Sequence, residues 1–373
     1  MPGSATRIAS DSDTMPRVMM ALSGGVDSAV SLLLLKQQGY DVEALFMKNW
    51  DEDDADGYCA AAEDLGDAER VCDRLQVPLH TVNFSFEYWE KVFTRFLDEY
   101  RSGRTPNPDV LCNREVKFQV FVEHALDLGA ECIATGHYAR IESDGDERRL
   151  LAGIDADKDQ SYFLYMLTQE QLRPALFPIG DLHKTQVRRM AREAGLETHD
   201  KKDSTGICFI GERPFREFLA RFLTPRAGNI ESVDGICVGS HDGLLHYTIG
   251  QRQGLGIGGR AGSSGEPWYV VDKDLARDTL IVAQGRDHAA LYSRELLASE
   301  LHWIRGRAPA LPLRCEAKIR YRQASQSCEV IADEHGCRVR FDAPQWAAAP
   351  GQSVVFYARD ECLGGAVIDS VRR

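Results

Sequence analysis

The 373-residue chain lacks several features that would settle its class at once. Its ten cysteines never come closer than nine positions to one another, so there is no CxxC pair. That argues against a zinc ribbon and against an iron–sulfur cluster built on local pairs. No apolar run approaches the roughly 18 residues that cross a membrane. The first sixteen residues, MPGSATRIASDSDTMP, lack the apolar centre of a signal peptide and read as a disordered tail, 1–16. A cytoplasmic protein is expected. Internal repeats and low-complexity segments are also missing. The glycine loop at 23–28, SGGVDS, has no lysine, and it fits neither GxxxxGK[ST] nor GxGxxG.

Basic charge is scarce overall, and the formal net charge is −13. The deficit is local. Residues 51–69 hold nine acids and no Lys or Arg, whereas residues 305–322 hold six bases and one acid, Glu316. Residues 201–226 carry six bases against three acids. An acidic whole therefore does not exclude a polyanion bound on one face. The competing reading is a set of solvated strands and helix faces.

What is present is a repeating α/β pattern. RVMMAL at 17–22 reads as a buried strand, the glycine loop follows, and 27–38 reads as a helix closed by Gly39. DVEALFM at 41–47 is the next strand, which makes a βαβ unit with a parallel pair. Helices over 64–75, 115–128 and 181–195, with strands over 78–84 and 132–138, extend the pattern to a doubly wound parallel sheet. Such a sheet binds ligand outside the carboxyl ends of its strands. After about residue 212 the texture changes to short alternating runs between glycine-rich turns, as expected of small β-barrels or sandwiches. The expected division is 17–212, a small central domain 213–288, and a C-terminal β-barrel 289–373.

The loop's chemistry is that of an anion grip. Gly24 and Gly25 let backbone N–H groups approach a phosphate, Ser23 and Ser28 add hydroxyls, and the helix aims its positive end at the site. Asp27 is anomalous there, because a carboxylate repels phosphate unless a cation intervenes. Magnesium on a pyrophosphate would resolve that. A plain turn with a helix cap is the competing reading.

SGGVDS resembles the signature of ATP pyrophosphatases, which cleave ATP between the α and β phosphates and transfer AMP. A grip on pyrophosphate has no need of a γ-phosphate lysine. Further stretches narrow the resemblance: FMKNWDEDD at 46–54, RTPNPDVLCNREVKF at 104–118, ATGHYAR at 134–140, KDQSYFL at 158–164, DSTGICFIG at 203–211 and YTIGQRQGLGIGG at 247–259. Together these are similar to the tRNA-specific 2-thiouridylase family, from residue 17 to near the end. The resemblance implies an adenine nucleotide alpha hydrolase-like ATP-pyrophosphatase fold. It also implies replacement of the C2 oxygen of the wobble uridine by sulfur, with ATP and Mg²⁺ and without zinc or an iron–sulfur cluster. The implied partners are tRNA, for the Lys, Glu and Gln acceptors, and a persulfide sulfur donor such as a cysteine desulfurase or relay protein.

Residue roles carry over from the same resemblance. ATP would contact Ala21, Leu22, Ser23, Gly24, Gly25, Val26, Asp27, Ser28, Met47 and Gly136. Asn107, Pro108 and Asp109 would border the target base, with His137, Lys158, Asp159, Gln160, Arg320, Tyr321 and Gln352 against tRNA. Cys208 would carry the persulfide and Cys112 would be its exchange partner. Read locally, Cys112 falls in the first turn of a helix beginning near Asp109, where the dipole favours thiolate. Asp109 reads either as an acceptor for uracil N3–H or as a plain N-cap. Ala21, Ala29 and Gln253 depart from the usual family residues, and the last weakens one expected phosphate contact. An amidating synthetase would need an ammonia source that is not visible, and a cluster-dependent thiolase would need CxxC. A tRNA-binding protein with a dead enzyme core would not keep Ser23, Gly24, Gly25, Asp27, Asp109, Cys112 and Cys208 together.

Overall fold

In a computed structural model, residues 15–50, 60–203, 215–258 and 265–372 are described. The first part is built on five parallel strands. They are β1 (Arg17–Ala21), β2 (Asp41–Lys48), β3 (Leu79–Asn83), β4 (Cys132–Ala134) and β7 (Ala175–Leu176), in the order β3-β2-β1-β4-β7. β1 is apolar from Val18 to Ala21, where both faces are covered. Met19 and Ala21 join one core with Leu45 and Ile133, while Val18 and Met20 join the other with Ala44 and Cys132. Each large buried side chain contributes about 1.5–3 kcal/mol. The strand order reverses between β1 and β4, so the ligand crevice of a doubly wound sheet opens where these two strands end.

Helices α1 (Val26–Gln37) and α2 (Ala60–Leu75) follow β1 and β2, and α3 spans 85–101 with a π-helical stretch at Trp89–Phe93. The helix expected over 115–128 is longer. It runs over 108–127 as α4, starting with Pro108 at its first position, and is π-helical over Cys112–Val120. The expected strand 132–138 is shorter. Past Ala134 the chain leaves the sheet, and Gly136 packs on the start of α1. α5 (Lys184–Glu193) and α6 (Phe215–Ala220) complete the part.

The central part is a four-stranded sheet of β8 (Gly228–Ser232), β9 (Cys237–His241), β10 (Trp268–Asp274) and β11 (Thr279–Gln284). Beyond it, β12 (Tyr292–Trp303), β13 (Leu313–Lys318), β14 (Gln326–Asp333), β15 (Gly336–Trp346), β16 (Ser353–Ala358) and β17 (Glu361–Arg372) pair around a barrel in the order β12-β15-β14-β13-β16-β17. A β12–β17 ladder closes it.

The parts are not strung like beads. A hairpin from the first part, β5 (Ala139–Asp144) and β6 (Glu147–Ala152), adds to the barrel sheet through β17. Arg305 fixes the junction by pairing with Asp144, Glu147 and Glu361. The first core itself includes Ile304, Val355, Tyr357 and Cys362 from the barrel, packed among such residues as Tyr162 and Tyr165.

Candidate functional site

Two adjoining regions gather most of the candidate residues. The first is the glycine loop. Gly24 has φ 74°, and a Cβ there would lie 2.3 Å from the Asp64 carbonyl oxygen, so only glycine fits. Gly25 is the N-cap of α1 and offers no side-chain cap, which leaves the helix's first N–H groups for an anion. Ser28 Oγ donates to Gly25 O at 3.0 Å and accepts from Ser23 N at 3.2 Å, which folds both hydroxyls into the loop. Ala21, Leu22 and Val26 bury their side chains, so only their backbone is open to a ligand. Gly136 abuts this loop, and a Cβ there would come 2.8 Å from Ser28 N. Met47, at the end of β2, is buried in the core beside Trp50.

The cation next to Asp27 is a lysine. Lys184, the first residue of α5, places Nζ 2.8 Å from both Asp27 carboxylate oxygens. The same ammonium lies 2.7 Å from Asp203 Oδ1, and it is buried. Tyr138 Oη donates to Asp27 Oδ1 at 2.7 Å, and Lys158 and Arg188 also pair with Asp203. Burial would raise the Asp203 carboxyl, but hydrogen bonds from Lys158 and Lys184 outweigh it and hold the group down to about 2. The loop without a lysine thus receives one from 157 residues further along the chain.

The second region is a cavity of about 570 Å³ where all three parts meet. The first part supplies the stretch from Thr105 to Asp109 with Tyr162 and Phe163, the central part supplies Thr248–Gln251, and the barrel supplies Arg320–Arg322, Ala349 and Gln352. This brings together Asn107, Pro108, Asp109, Arg320, Tyr321 and Gln352 of the residues singled out by sequence. Gln352 spends its amide on the chain rather than the cavity. Nε2 donates to Thr105 O at 2.8 Å and Pro106 O at 3.2 Å, clamping the backbone just before Asp109. Arg320 donates to Ile249 O and Ala347 O, with its guanidinium 5.1 Å from the Trp346 ring centroid. Tyr321 packs against Phe163 with ring centroids 4.5 Å apart and planes tilted by 43°, and its hydroxyl donates to Lys158 O. Lys158 in turn binds Asp203, so a continuous line of contacts joins the cavity wall to Asp27.

The remaining candidates lie elsewhere. Cys112 is fully buried one turn into α4, and its N–H already bonds to Pro108 O, so it lies past the unpaired N–H groups of the helix start. Cys208 lies outside the described residues. Asp159 is buried, accepting from Gly153 N and Ser161 N and pairing with Lys318. Gln160 Oε1 accepts from Tyr138 N. His137 is buried between Phe118 and Phe177 with Nδ1 on the Thr135 hydroxyl. Burial, aided by Lys117, keeps it neutral.

The basic stretch 305–322 is not an open positive stripe. Arg305 and Arg307 pair with Glu147, Arg314 with Asp342 and Lys318 with Asp159, while Arg322 is exposed at the cavity rim. Sequence reasoning missed Lys184, Tyr138 and Asp203 around Asp27, and Thr248–Gln251 on the cavity wall. Tyr138, Asp203 and Thr248–Gln251 do fall in stretches already noted, ATGHYAR, DSTGICFIG and YTIGQRQGLGIGG. Lys184 falls in none. Among the described residues no three His, Cys, Asp or Glu side chains are grouped to hold a metal ion, and no helix is long and apolar enough to cross a membrane.

Comparison with known proteins agrees with this architecture. A family profile described as tRNA methyl transferase HUP domain matches residues 16–212. A PRC-barrel profile of the same name matches 216–284, and an aminomethyltransferase beta-barrel profile matches 293–368. Curated relatives match over nearly their full length. A tRNA-specific 2-thiouridylase MnmA of Pseudoalteromonas translucida is 59% identical over 95% of this chain and 98% of its own. Proteins of the same name from Methylococcus capsulatus and Stutzerimonas stutzeri are 58% and 57% identical, each over 95% of this chain and over 96% and 94% of their own. The profile descriptions say methyl transfer and the relatives' names say thiolation. The full-length relatives decide, because they match all three parts at once.

Proposed function

Because the chain belongs to the tRNA-specific 2-thiouridylase family, we propose a division of labour between its two regions in the ATP-dependent 2-thiolation of the wobble uridine of tRNA. The glycine loop and the N-terminus of α1 hold the pyrophosphate of ATP. Lys184 supplies the positive charge the loop lacks, and Asp27 with Tyr138 fixes where that charge sits. Magnesium would arrive as the counter-ion of ATP, since both Asp27 oxygens already take Lys184.

The cavity receives the uracil, turned out of the anticodon stack. Asp109 at its wall accepts the N3 proton, and Tyr321 and Phe163 present ring surface. The O2 oxygen attacks the α-phosphate, forming the O2-adenylate and releasing pyrophosphate. A persulfide sulfur on Cys208 then attacks C2 and AMP departs with its electron pair. The Cys112 thiol attacks the Cys208 sulfur, leaving C2=S on the base and a Cys112–Cys208 disulfide, which a thiol reductant returns to two thiols. Burial of Cys112 protects it from other oxidants between turnovers.

The observation that carries this reading is the contact line from Tyr321 through Lys158, Asp203 and Lys184 to Asp27, which ties the base cavity to the phosphate grip. The substrates proposed are the tRNAs for Lys, Glu and Gln, the sulfur source is a desulfurase or relay protein persulfide, and the setting is the cytoplasm. The test is incubation with unmodified tRNA, ATP, magnesium and a persulfide donor, followed by mass spectrometry of digested nucleosides. Appearance of 2-thiouridine with stoichiometric AMP supports it. AMP and pyrophosphate without 2-thiouridine would assign a different acceptor chemistry.

A further inference from the structure

The barrel contains a pair of thiols that the thiolation chemistry does not use. β13 and β14 form a hairpin whose connecting residues include Arg320, Tyr321 and Arg322 of the cavity wall. Near its base Cys315 and Cys328 are directly opposed in the antiparallel register. Their sulfurs are 3.7 Å apart. Directly opposed residues in such a ladder have Cα atoms about 4.5–5.5 Å apart, inside the window of about 4.4–6.8 Å that a disulfide bridges. Rotation of the two side chains would close the bond without moving either strand.

The two thiols are unequal. Cys315 is half-buried and reachable, whereas Cys328 is fully buried in the barrel core. The hydrogen bond from Cys328 holds the Cys315 thiol below its ordinary range against the effect of burial, with help from Arg314. The same contact, followed by burial, pushes Cys328 far up. Cys337 on β15 is also buried, and burial with Asp333 pushes it up to about 12, so it stays protonated and does not compete.

We propose that Cys315 and Cys328 form a thiol–disulfide exchange site that takes a small-molecule disulfide as its oxidant and staples the base of the cavity hairpin. The Cys315 thiolate attacks the small disulfide, forms a mixed disulfide and expels one small thiolate. With the Cys315 charge gone, the main influence holding the Cys328 proton disappears. Cys328 gives up that proton, attacks the Cys315 sulfur and expels the second small thiolate. The protein dithiol loses two electrons and two protons, and the small disulfide becomes two thiols. Because the strands already stand in register, the staple leaves the positions of Arg320 and Tyr321 unchanged and restrains the hairpin from fraying.

The experiment uses the reduced full-length protein and oxidised glutathione, with alkylation at time points and non-reducing peptide mass spectrometry. In the wild type a Cys315–glutathione adduct should appear first and convert to a Cys315–Cys328 cross-link. Cys328→Ala should stop at the Cys315 adduct. In Cys315→Ser, Cys328 should react at least tenfold more slowly than Cys315 does in the wild type. Exposed Cys237 serves as an internal reference that the oxidant is active. Circular dichroism on each variant establishes folding, and the wild-type time course stands without them. The cross-linked protein should bind tRNA within twofold of the reduced protein and should be cut by trypsin after Arg322 about fivefold more slowly. Conversion of Cys237 with no 315–328 cross-link would overturn the proposal, as would equal reactivity of Cys328 in Cys315→Ser. A tenfold loss of tRNA affinity on cross-linking would overturn the undistorted staple. These readouts are chemical, so failure of the thiolation reading leaves them intact.

Discussion

Replacing Lys184 by Met removes one charge from the centre of the proposed phosphate site while keeping the length of the side chain. Its ammonium makes three contacts of 2.7–2.8 Å with two carboxylates. Removing one member of a fully buried pair costs about 3–5 kcal/mol. Here the Asp27 and Asp203 side chains keep 30% and 33% of their exposure, and Asp203 retains Lys158 and Arg188. The expected cost is therefore lower, about 1–3 kcal/mol, a drop of a few degrees in melting temperature. The catalytic loss should be larger in relative terms. Removing a preorganised charge aimed at a developing oxyanion costs about 100-fold or more in kcat. The assay is AMP release with saturating tRNA across ATP concentrations, paired with thermal unfolding. Asp27→Asn/Lys184→Met separates the two effects, because a neutral pair has no unpaired buried carboxylate at position 27 and should recover much of the stability. It should not recover adenylation. If Lys184→Met keeps kcat and the KM for ATP within threefold of wild type, Lys184 is a structural counter-ion and the phosphate role is wrong.

Gln352→Leu should release the backbone at Thr105 and Pro106; thiolation kcat should fall about tenfold with the KM for ATP unchanged, and a change in KM alone would refute the clamp. Arg322→Ala should reduce the slope of log tRNA affinity against log salt by about 1. Arg320→Ala should instead loosen the contact with Ile249 and Ala347, seen as faster proteolysis at the junction of central part and barrel; identical salt slopes for Arg322→Ala and wild type would place that rim outside the tRNA footprint. Asp203 has its folded pKa depressed to about 2 from its ordinary 3.8, so its stabilisation is full above about pH 4 and is lost as pH falls toward 2. Discounted for its exposure, that is about 1–2 kcal/mol, and Asp203→Asn should flatten unfolding free energy against pH in that window. Cys112→Ser should still release AMP but should fail to free sulfur from a persulfide without added reductant; normal product yield would refute the exchange step.

How far the sequence could be read depended on how local the determining interactions are. The glycine loop and its helix lie within the reach of one βαβ unit, and α1 begins one residue from its expected start. The apolar run Val18–Ala21 of β1 announced a strand covered on both faces. By contrast, nothing near Lys184 marks it, because its partners are Asp27 and Asp203 on other segments. The hairpin 139–152 falls inside the first expected domain, 17–212. Its actual sheet neighbour is β17, more than two hundred residues later. No local pattern encodes that pairing.

The charge run 305–322 was the least legible feature, and the reason bears on how the site works. Four of its six bases are spent on Glu147, Glu361, Asp342 and Asp159, acids that the linear sequence scatters across the chain. A local excess of bases is therefore not a surface potential. Those pairs do something else: Arg305 binds the β5–β6 hairpin to the barrel, and Lys318 binds the barrel to the buried Asp159. Asp159 lies next to Lys158, whose carbonyl holds Tyr321 and whose ammonium holds Asp203. The pairs of Arg305 and Arg307 with Glu147 and of Lys318 with Asp159 thus dock the barrel against the first part, while Arg314–Asp342 lies within the barrel. That docking is what lets one cavity be walled by three segments of the chain. Three of the residues singled out by sequence, Arg320, Tyr321 and Gln352, line the cavity, yet two of these hold backbone rather than face it with free polar groups. Arg320 fixes the central part at Ile249, and Gln352 fixes the chain before Asp109. Under the proposed function the barrel acts on the target base chiefly by setting the geometry of the walls around it.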